Sequence, residues 1–415
     1  MIPIDEALRR IEKNLPAPAI ESLDFRSAHG RVLAEGLTAT GDIPPFNKSA
    51  VDGYAVRAAD VRAVPAELRC VGESRAGSKW GTPLREGEAI SIMTGAPVPD
   101  GADAVQMVEK TRRSADGSLV TILSGVRVGE NVVLRGSEAS TGKVILEPGR
   151  YLGPAEVAIL AMFGHRQVRV FRRPSVALAS TGDEVVEADQ VPGPDQIRNS
   201  NAPSVSAQLK LLGLEAEYLG IVRDDRAEIR RVITEGLRRD VLILTGGVSV
   251  GAYDFVKEIL LEAGLEVIFS GVAVRPGKPT LFARRGDRLV FGLPGNPISA
   301  FVSFELFVRP ALERICGFVS AGLFRIRGRM SSGAKHKSER TSFIPARLSW
   351  NQEGWAIEPL PWRGSSDIIG FSRANGLLIL PQGTRAIAEG DWVEAVLLPD
   401  FWQRSPRWKP EGGGQ

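Results

Sequence analysis

The spacing of hydrophobic residues changes along this chain and divides it into regions with different expected structures. Within the first fifteen residues, apolar side chains recur at helical spacing, at Ile4, Leu8, Ile11 and Leu15. This spacing predicts an amphipathic helix. From about residue 20 to about residue 150, short apolar runs are separated by glycine and proline. Such punctuation is typical of antiparallel strands in one or two small β-rich units.

Helical spacing returns near residue 153, with Pro154 in the first turn and Gly164 after the last one. Beyond residue 172, strand-like and helix-like runs alternate. The strand-like runs are SVALAS, AEYLGIV, VLILT, LEVIFSG and RLVFGL. Nearly continuous apolar strands that alternate with helices predict a mostly parallel sheet covered by helices on both faces.

The helices of this region have recognisable ends. One is expected from Ala202 to Leu212, capped by Asn201 and ended by Gly213. Another begins near Asp225 and carries an apolar stripe, at Ile229, Val232, Ile233 and Leu237. We expect an α/β domain over residues 172–318.

After this domain the pattern of β-strands returns. The runs FRIRGRM, SFIPARLSW, GWAIEPL, GLLILPQG and DWVEAVLL predict a small barrel or sandwich over residues 323–400. The chain is therefore expected to combine α/β and β domains. An N-terminal β-rich region with linker helices spans residues 1–171, with an inner subdomain near 41–138, and a disordered tail spans 401–415.

Composition excludes several classes of protein. With 43% hydrophobic and 24% charged residues, the chain is typical of globular proteins, and it holds no apolar run as long as a membrane span. Its first residues lack the layout of a signal peptide, so we expect a cytoplasmic protein with no membrane partner. Net charge is only +3, and the arginine pairs are scattered, which disfavours nucleic-acid binding.

Side chains that bind transition metals are scarce. Cys70 and Cys316 are the only cysteines, and neither they nor the three histidines have the spacing of a zinc site. A transition metal handled by this protein would therefore need sulfur from a ligand.

Three polar, glycine-rich loops are expected at the C-terminal ends of strands, at residues 180–184, 245–251 and 292–297. In open parallel sheets, ligands bind at this edge, and glycine lets backbone N–H groups converge on an anion. One such loop is commonly an ordinary turn, but three on one edge predict a binding crevice. Candidate ligand contacts in these loops are Thr181, Gly182, Gly246, Gly247, Ser249, Gly251, Pro294, Gly295, Asn296 and Pro297.

Carboxylates are expected at the same edge. Glu184, Asp224 and Asp254 should each lie just beyond a strand, where a phosphate-bearing ligand with Mg²⁺ would offset their repulsion. The alternative is that Asp224 or Asp225 only caps the following helix. Two cations, Arg275 and Lys278, are held on a proline-rich loop and could bind phosphate or an oxyanion.

Two further loops are rich in proline and glycine. PPFNKSAVDGYA places Asp52 between a stiff loop and a strand, and IMTGAPVPDGAD places Thr94 at the end of a strand. Composition alone indicates only that these loops are conformationally constrained.

Together these segments resemble the MoeA family, which includes the C-terminal domain of gephyrin. The resemblance lies in stretches that occur in family order over about residues 40 to 380, namely PPFNKSAVDGYA, ISIMTGAPVPDGADAVQMVE, STGDEV, IRNSNAPSV, GIVRDD, TGGVSVGAYDF, VAVRPGKP, GLPGNPISA and GSSDIIGFSRANGLLILP. The combination of SAVDGYA, TGGVSVG, RPGKP and LPGNP is specific to this family.

The resemblance implies an elongated homodimer whose α/β domain is similar to the MoaB and MogA proteins, the molybdopterin adenylyltransferase fold. It implies a site between that domain of one subunit and the N-terminal β domain of the other. The residues that match the family's functional positions are Asp52, Thr94, Glu184, Asp224, Asp254, Pro294 and Pro297, with Arg275, Lys278 and Ser366 as further candidates.

The implied reaction inserts molybdate into adenylylated molybdopterin and releases AMP, the last step of molybdenum cofactor biosynthesis. In this scheme Glu184 and Asp254 hold Mg²⁺, Arg275 and Lys278 contact molybdate, and the pterin supplies the thiolates. A molybdopterin adenylyltransferase is an expected partner.

The sequence departs from the family pattern at a few positions. Glu138 stands where an aspartate is usual, Arg275 replaces a common lysine, and Lys48 and Val51 alter the SAMDGYA motif. Two other functions remain open. A scaffold or cofactor carrier would favour extra partner-binding domains, and an unrelated phosphotransferase should show a GxxxxGK[ST] loop, which the sequence lacks.

Overall fold

The structure is a computed structural model that describes residues 1–78, 80–246, 253–336 and 338–404, with only the backbone described for 253–255. The chain forms two compact units. The smaller unit comprises residues 23–29 and 35–168, and the larger unit comprises residues 1–22, 30–34 and the chain from 169 onward. Within the described ranges, no helix has the length and apolar character needed to span a membrane.

The α-helices of the described chain are, in order, α1 Ile4–Lys13, α2 Pro154–Met162, α3 Asn201–Leu211, α4 Arg226–Gly236, α5 Tyr253–Glu262, α6 Pro297–Ser303, α7 Arg309–Ile315, α8 Ile368–Phe371 and α9 Phe401–Arg404. A π-helical segment, Phe304–Val308, joins α6 to α7. The helices predicted near residues 1–15, 153–164 and 202–212 are confirmed, each within a few residues.

The smaller unit is built on a six-stranded sheet. Its strands are β1 Gly53–Val56, β2 Ala66–Ser74, β3 Glu88–Ile92, β4 Ala104–Met107, β5 Thr111–Arg113 and β6 Leu119–Ile122. They pair in the order β4-β1-β3-β2-β6-β5, and all neighbours are antiparallel except β2 and β3. Successive side chains such as Tyr54 and Ala55 enter different apolar clusters, so both faces of the sheet are covered.

Shorter strands complete the smaller unit. Leu37–Thr38 pairs with Val144–Leu146, and Lys48–Ser49 pairs with Val132–Val133. The second pairing fixes the loop that precedes Asp52. The predicted β-rich character of this region is thus confirmed.

A second six-stranded sheet forms the α/β part of the larger unit. Its strands are β7 Val176–Thr181, β8 Ala216–Val222, β9 Val241–Thr245, β10 Glu266–Ser270, β11 Leu281–Arg285 and β12 Arg288–Leu293. They pair in the order β8-β7-β9-β12-β11-β10, with the first four parallel and the last two antiparallel to their neighbours. The predicted mostly parallel sheet is confirmed, with β11 as an added strand.

Helices cover both faces of this sheet. Leu178 and Ile243 belong to one buried cluster that also contains residues of α1, α3, α6 and α7. Leu242 and Leu244 belong to a second cluster on the opposite face, which contains residues of α4 and α5. The predicted stripe of α4 lies entirely within this second cluster.

The N-terminal ends of α3 and α4 are capped differently. Asn201 does not cap α3, as the sequence suggested, but is its first residue, and Asn199 Oδ1 accepts the hydrogen bond from Ala202 N–H. Asp225 does cap α4, because its side chain accepts hydrogen bonds from two backbone N–H groups of the first turn. The sequence pattern predicts both helix starts to within about one residue, but the side chain that accepts from the first turn of α3 is that of Asn199 and not that of Asn201.

The last part of the larger unit is a closed barrel of β13 Arg325–Met330, β14 Thr341–Asn351, β15 Gly354–Pro359, β16 Gly376–Leu380 and β17 Trp392–Leu397. These strands pair in the ring β14-β15-β13-β17-β16-β14, so the structure is a barrel and not a sandwich. A short strand, Val274–Arg275, pairs in parallel with the start of β14 and connects the α/β part to the barrel. Phe401 is buried in α9, so residues 401–404 do not belong to the expected disordered tail.

Other two-residue strands of the larger unit lie outside its two main sheets. Val185–Val186 pairs with Ile197–Arg198, and Ala334–Lys335 pairs with Ala386–Ile387. The first pair brings the segment before α3 next to the loop after β7, and residues of both segments line the same cleft.

Candidate active site

Described residues at the C-terminal ends of β7, β9 and β12, and in the segments just after them, line one cleft of about 680 Å³. These strands are parallel neighbours, so their C-terminal ends share one edge of the sheet. The predicted site residues that line this cleft are Thr181, Glu184, Gly246, Lys278, Pro294, Gly295, Asn296, Pro297 and Ser366. A volume of this size is within the range of pockets for small ligands.

Gly246 is needed for the close approach of two of these loops. Its φ is +86°, and a Cβ built on it would lie 2.3 Å from the carbonyl oxygen of Thr181. Both the dihedral angle and the contact exclude a larger residue. The loop of Gly295 lies beside it with more room, because a Cβ on Gly295 would be 3.6 Å from the Cα of Gly246, an ordinary van der Waals contact.

A hydrogen-bond network, which sequence reasoning missed, begins in the buried part of the cleft wall and ends at the exposed Tyr218. Ser180 Oγ lies 2.8 Å from Thr245 Oγ1, and Asn199 Nδ2 donates to Ser180 Oγ at 3.0 Å. Asn199 Nδ2 also donates to Tyr218 Oη at 2.9 Å, and Tyr218 donates to Glu187 at 3.0 Å. Burial, and then Glu187, raise the pKa of Tyr218, so the phenol stays a neutral donor. The network fixes the wall before any ligand arrives.

Glu184 and Asp224 lie near each other, but in different surroundings. Glu184 lines the cleft, whereas Asp224 lies in a neighbouring recess with Asp183 and Asp225. Burial raises the pKa of Asp224, and the negative charges of Asp183 and Glu184 raise it further. These carboxylates are therefore close enough to repel one another.

The cap of the next helix is Asp225, and Asp224 has another environment. Asp225 Oδ1 accepts from Ala227 N–H at 2.9 Å and from Glu228 N–H at 3.0 Å. The backbone N–H of Asp224 instead donates to Asp183 Oδ1 at 3.2 Å. The capping alternative thus applies to Asp225 and not to Asp224.

These two neighbours should respond oppositely to substitution. Asp224→Asn should raise the free energy of unfolding at neutral pH by less than about 1 kcal/mol, because it removes a repelled, partly exposed charge. Since folding raises the pKa of Asp224, this gain should vanish as the pH falls below the ordinary carboxyl value of 3.8. Asp225→Ala should instead lower the free energy of unfolding by about 1 kcal/mol through loss of the cap. Urea titrations at several pH values measure both, and a loss of stability in Asp224→Asn at neutral pH would contradict the account.

The two predicted cations occupy different positions. Lys278 lines the cleft, whereas Arg275 is not part of its wall. Arg275 is close to Arg340, whose pKa is lowered by burial and then by the charge of Arg275. Arg340 is held in place by a 3.0 Å hydrogen bond from Nη1 to the Val274 carbonyl. Within the described part of the chain, neither Arg275 nor Lys278 forms an ion pair, so both charges are available to an anion.

Some predicted residues cannot be placed. Gly247, Ser249 and Gly251 lie outside the described residues, and so does the side chain of Asp254, although its backbone belongs to α5. Gly182 is described but does not line the cleft, and its φ is +137°. Among the described residues, no three His, Cys, Asp or Glu side chains are arranged to hold a metal ion.

In the smaller unit, the structure joins the two residues predicted there. Asp52 Oδ1 accepts hydrogen bonds from the backbone N–H of Thr94 at 2.7 Å and from its hydroxyl at 3.2 Å. Two of the departures from the family pattern also meet, because Lys48 Nζ lies 3.4 Å from Glu138 Oε1. The two substitutions therefore form one ion pair.

Comparison with known proteins finds similarity along nearly the whole chain. The MoeA N-terminal region (domain I and II) matches residues 2–164, the probable molybdopterin binding domain matches 177–314, and the MoeA C-terminal region (domain IV) matches 327–398. The molybdopterin molybdenumtransferase of Staphylococcus aureus strain Mu50 is 35% identical over 401 residues, which are 95% of each chain. The molybdopterin molybdenumtransferase of Staphylococcus epidermidis is 33% identical, with the same coverage.

Solved structures agree with this result. The molybdopterin biosynthesis MoeA protein from Pyrococcus horikosii is 32% identical, with a TM-score of 0.81, and the match covers 96% of this chain and 99% of that one. A second structure, the MoeA protein from Pyrococcus horikoshii OT3, has a TM-score of 0.80 at 26% identity, with coverage of 96% and 100%.

Proposed function

Because the chain belongs to the MoeA family, we propose that it is a molybdopterin molybdenumtransferase that inserts molybdate into adenylylated molybdopterin and releases AMP. The observation that carries this proposal is one cleft in which Thr181, Gly246 and Gly295, from the ends of three neighbouring strands, meet Glu184 and Lys278. Relatives that are 33–36% identical over 95% of the chain and bear the name of this enzyme support it.

The phosphates of the substrate would lie against the glycine loops. Gly246 and Gly295 bring backbone close to the cleft without a side chain between it and the ligand. Lys278 adds a positive charge to the same wall, and Ser366 adds a hydroxyl from the segment before α8. Donors of this kind bind phosphate oxygens and leave the neutral part of the ligand to other residues.

Molybdate would be held by the cationic loop. Arg275 and Lys278 belong to the same short segment, and Arg340 stands beside Arg275. The planar guanidinium groups suit a tetrahedral oxyanion, because each can donate two parallel hydrogen bonds. We assign Arg340 to this group, although no sequence pattern suggested it. The sulfur ligands of the metal come from the pterin and not from the protein.

Mg²⁺ is the metal for which the described donors are chemically suited. Glu184 lines the cleft, and the pKa of Asp224 in the neighbouring recess is raised by burial and then by the charges of Asp183 and Glu184, so the carboxylates at this edge of the sheet repel one another. Mg²⁺ is commonly bound by one or two carboxylates together with substrate phosphates, so a complete cage of protein ligands is not required. Glu184 and Asp254 would hold the ion, which when bound neutralises phosphate charge.

We include in the proposal a homodimer in which Asp52 and Thr94 of the partner subunit complete the site. The 2.7 Å hydrogen bond between these residues holds the Asp52 carboxylate in one orientation, as a residue that positions substrate or water requires. The division at 1–171, 172–318 and 323–400 also remains part of the proposal. So do a cytoplasmic location and contact with a molybdopterin adenylyltransferase, the class of enzyme that must supply an adenylylated substrate.

Mixed dimers test the composite site. Asp52→Ala and Lys278→Ala alone should each be nearly inactive, but chains of both variants mixed within one dimer should regain activity. In a one-to-one mixture half of the dimers contain both variants, and each of those keeps one intact site of two, so about one quarter of the wild-type rate is expected. AMP release and molybdate incorporation are measured on purified, co-expressed dimers.

The control is a mixture of wild type with the double variant Asp52→Ala/Lys278→Ala. If the site is shared, dimers of one wild-type and one double-variant chain hold no intact site, so only wild-type homodimers work and about one quarter of the wild-type rate is expected; a site within one chain would instead give about one half. Recovery absent from the two-variant mixture, with dimers present, would contradict a site shared between subunits. Wild-type rates in the Asp52→Ala single variant would remove Asp52 from the mechanism.

A further inference from the structure

Two buried polar atoms of the cleft wall have no hydrogen-bond partner within the described part of the chain. They are Thr181 Oγ1 and Asn201 Oδ1, and both residues line the cleft. Thr181 is only 3% exposed. A buried polar atom without a partner is costly to folding, and a binding site is where such a cost is commonly retained, because a ligand can supply the missing partner.

The orientation of the Asn201 amide is fixed by its other end. Asn201 Nδ2 lies 2.7 Å from the carbonyl oxygen of Gly295, and a carbonyl oxygen can only accept. The nitrogen must therefore face Gly295, which leaves Oδ1 as the free end. The atom left without a partner is thus an acceptor and not a donor.

An acceptor at this place cannot serve the anionic end of the substrate. Phosphate and molybdate oxygens are themselves acceptors, so they would be repelled by Asn201 Oδ1 and drawn to Lys278 and to backbone N–H groups. Asn201 Oδ1 requires a ligand group that donates a hydrogen bond, such as an amino N–H or a hydroxyl. The cleft thereby combines donors for anions with one oriented acceptor for a neutral donor group, and the ring amino groups of the proposed substrate are donors of this kind.

We propose that Asn201 is a specificity-determining residue that accepts a hydrogen bond from an amino group of the substrate's heterocycle, with the Thr181 hydroxyl as a second contact. This inference rests on the proposed function, because an adenylylated pterin offers such an amino group on both of its ring systems. The chemistry required is the same for the adenine and for the pterin. The amino group must be recognised by Asn201 in either case, and the experiment identifies which ring carries it.

Binding of matched pairs of probes tests the inference. Calorimetry compares AMP with inosine monophosphate, and pterin-6-carboxylate with its 2-oxo counterpart, because each pair differs in the exocyclic amino group. Wild-type protein should prefer the amino form of one pair by roughly 10-fold in Kd, the cost of leaving a buried acceptor unpaired. Asn201→Ala should abolish that preference. Thr181→Val, which keeps the shape of the side chain, should weaken binding of the same probe.

Gln352→Ala is the matched control, since it removes an exposed amide of the barrel. It should leave both preferences unchanged. A preference in the AMP pair assigns Asn201 to the adenine, and one in the pterin pair assigns it to the pterin. Equal affinities within both pairs, or a preference that survives in Asn201→Ala protein of unchanged melting temperature, would overturn the inference. Turnover by wild-type enzyme is measured separately. Failure of this inference can therefore be distinguished from failure of the proposed function.

Discussion

Replacing Lys278 with alanine is expected to lower kcat/KM for AMP release by about 100-fold, which is the usual effect of removing a charged donor from a reacting anion. Lys278 lines the cleft and forms no ion pair within the described residues, so its charge is free for the substrate. Because the effect arises from contact with phosphate or molybdate, KM for molybdate should rise or kcat should fall, while the melting temperature stays unchanged. Steady-state kinetics at varied molybdate concentration measure this.

Two control variants make that result specific. Lys278→Arg keeps the charge but changes its geometry, so its activity should fall between those of wild type and Lys278→Ala. Lys210→Ala removes an exposed lysine of α3 that is not part of the cleft wall and should leave kcat/KM unchanged. If Lys278→Ala and Lys210→Ala behave alike, Lys278 has no role at the anionic end of the substrate.

Replacing Arg309 with methionine is expected to lower the free energy of unfolding by about 3–5 kcal/mol. Glu305 and Arg309 form an ion pair and are 1% and 4% exposed. Gln208 Nε2 also donates to Glu305 Oε1 at 2.7 Å, but a neutral amide cannot replace the guanidinium. The variant would leave a buried carboxylate without its cation, and urea unfolding would measure the loss.

The double variant Glu305→Leu/Arg309→Met distinguishes the loss of the ion pair from the cost of leaving one buried charge unpaired. Removing both charges eliminates the unpaired Glu305 carboxylate and leaves only Glu313, which pairs with Arg309 at 3.4 Å but also accepts a hydrogen bond from Gly322 N–H, so the double variant should be clearly more stable than Arg309→Met alone. The exposed pair of Arg347 and Glu358 gives a comparison, and Arg347→Met should change stability by less than about 1 kcal/mol. If Arg309→Met and Arg347→Met lower the free energy of unfolding by similar amounts, burial does not increase the energetic effect of breaking an ion pair.

The periodic parts of the fold could be predicted because hydrophobic spacing records which side faces a core. The stripe of α4 was predicted from spacing and is buried as expected. Strand β11 was missed, because Leu281–Arg285 ends in two arginines and directly follows a proline-rich loop. Its strand conformation depends on antiparallel pairing with β10 and β12, which is tertiary information.

The candidate site was predictable where a loop carried its own signal and not where the fold joins distant residues. Glycine and proline identified the loops of Gly246 and Pro294. Asn199 gave no such signal, because a single polar residue before a helix is commonly a cap. Arg340 could not be connected to Arg275 from sequence, since the pairing of Val274–Arg275 with β14 brings the two together.

The most direct test of the transferase assignment is a time course with purified protein, adenylylated molybdopterin, molybdate and Mg²⁺. AMP released and molybdenum incorporated into the pterin are quantified in the same samples. The account predicts that both products rise together, in a one-to-one ratio, well beyond one equivalent per chain. Substrate that is bound without release of AMP, or molybdenum incorporation that stops at one equivalent per chain, would contradict the assignment and indicate a carrier.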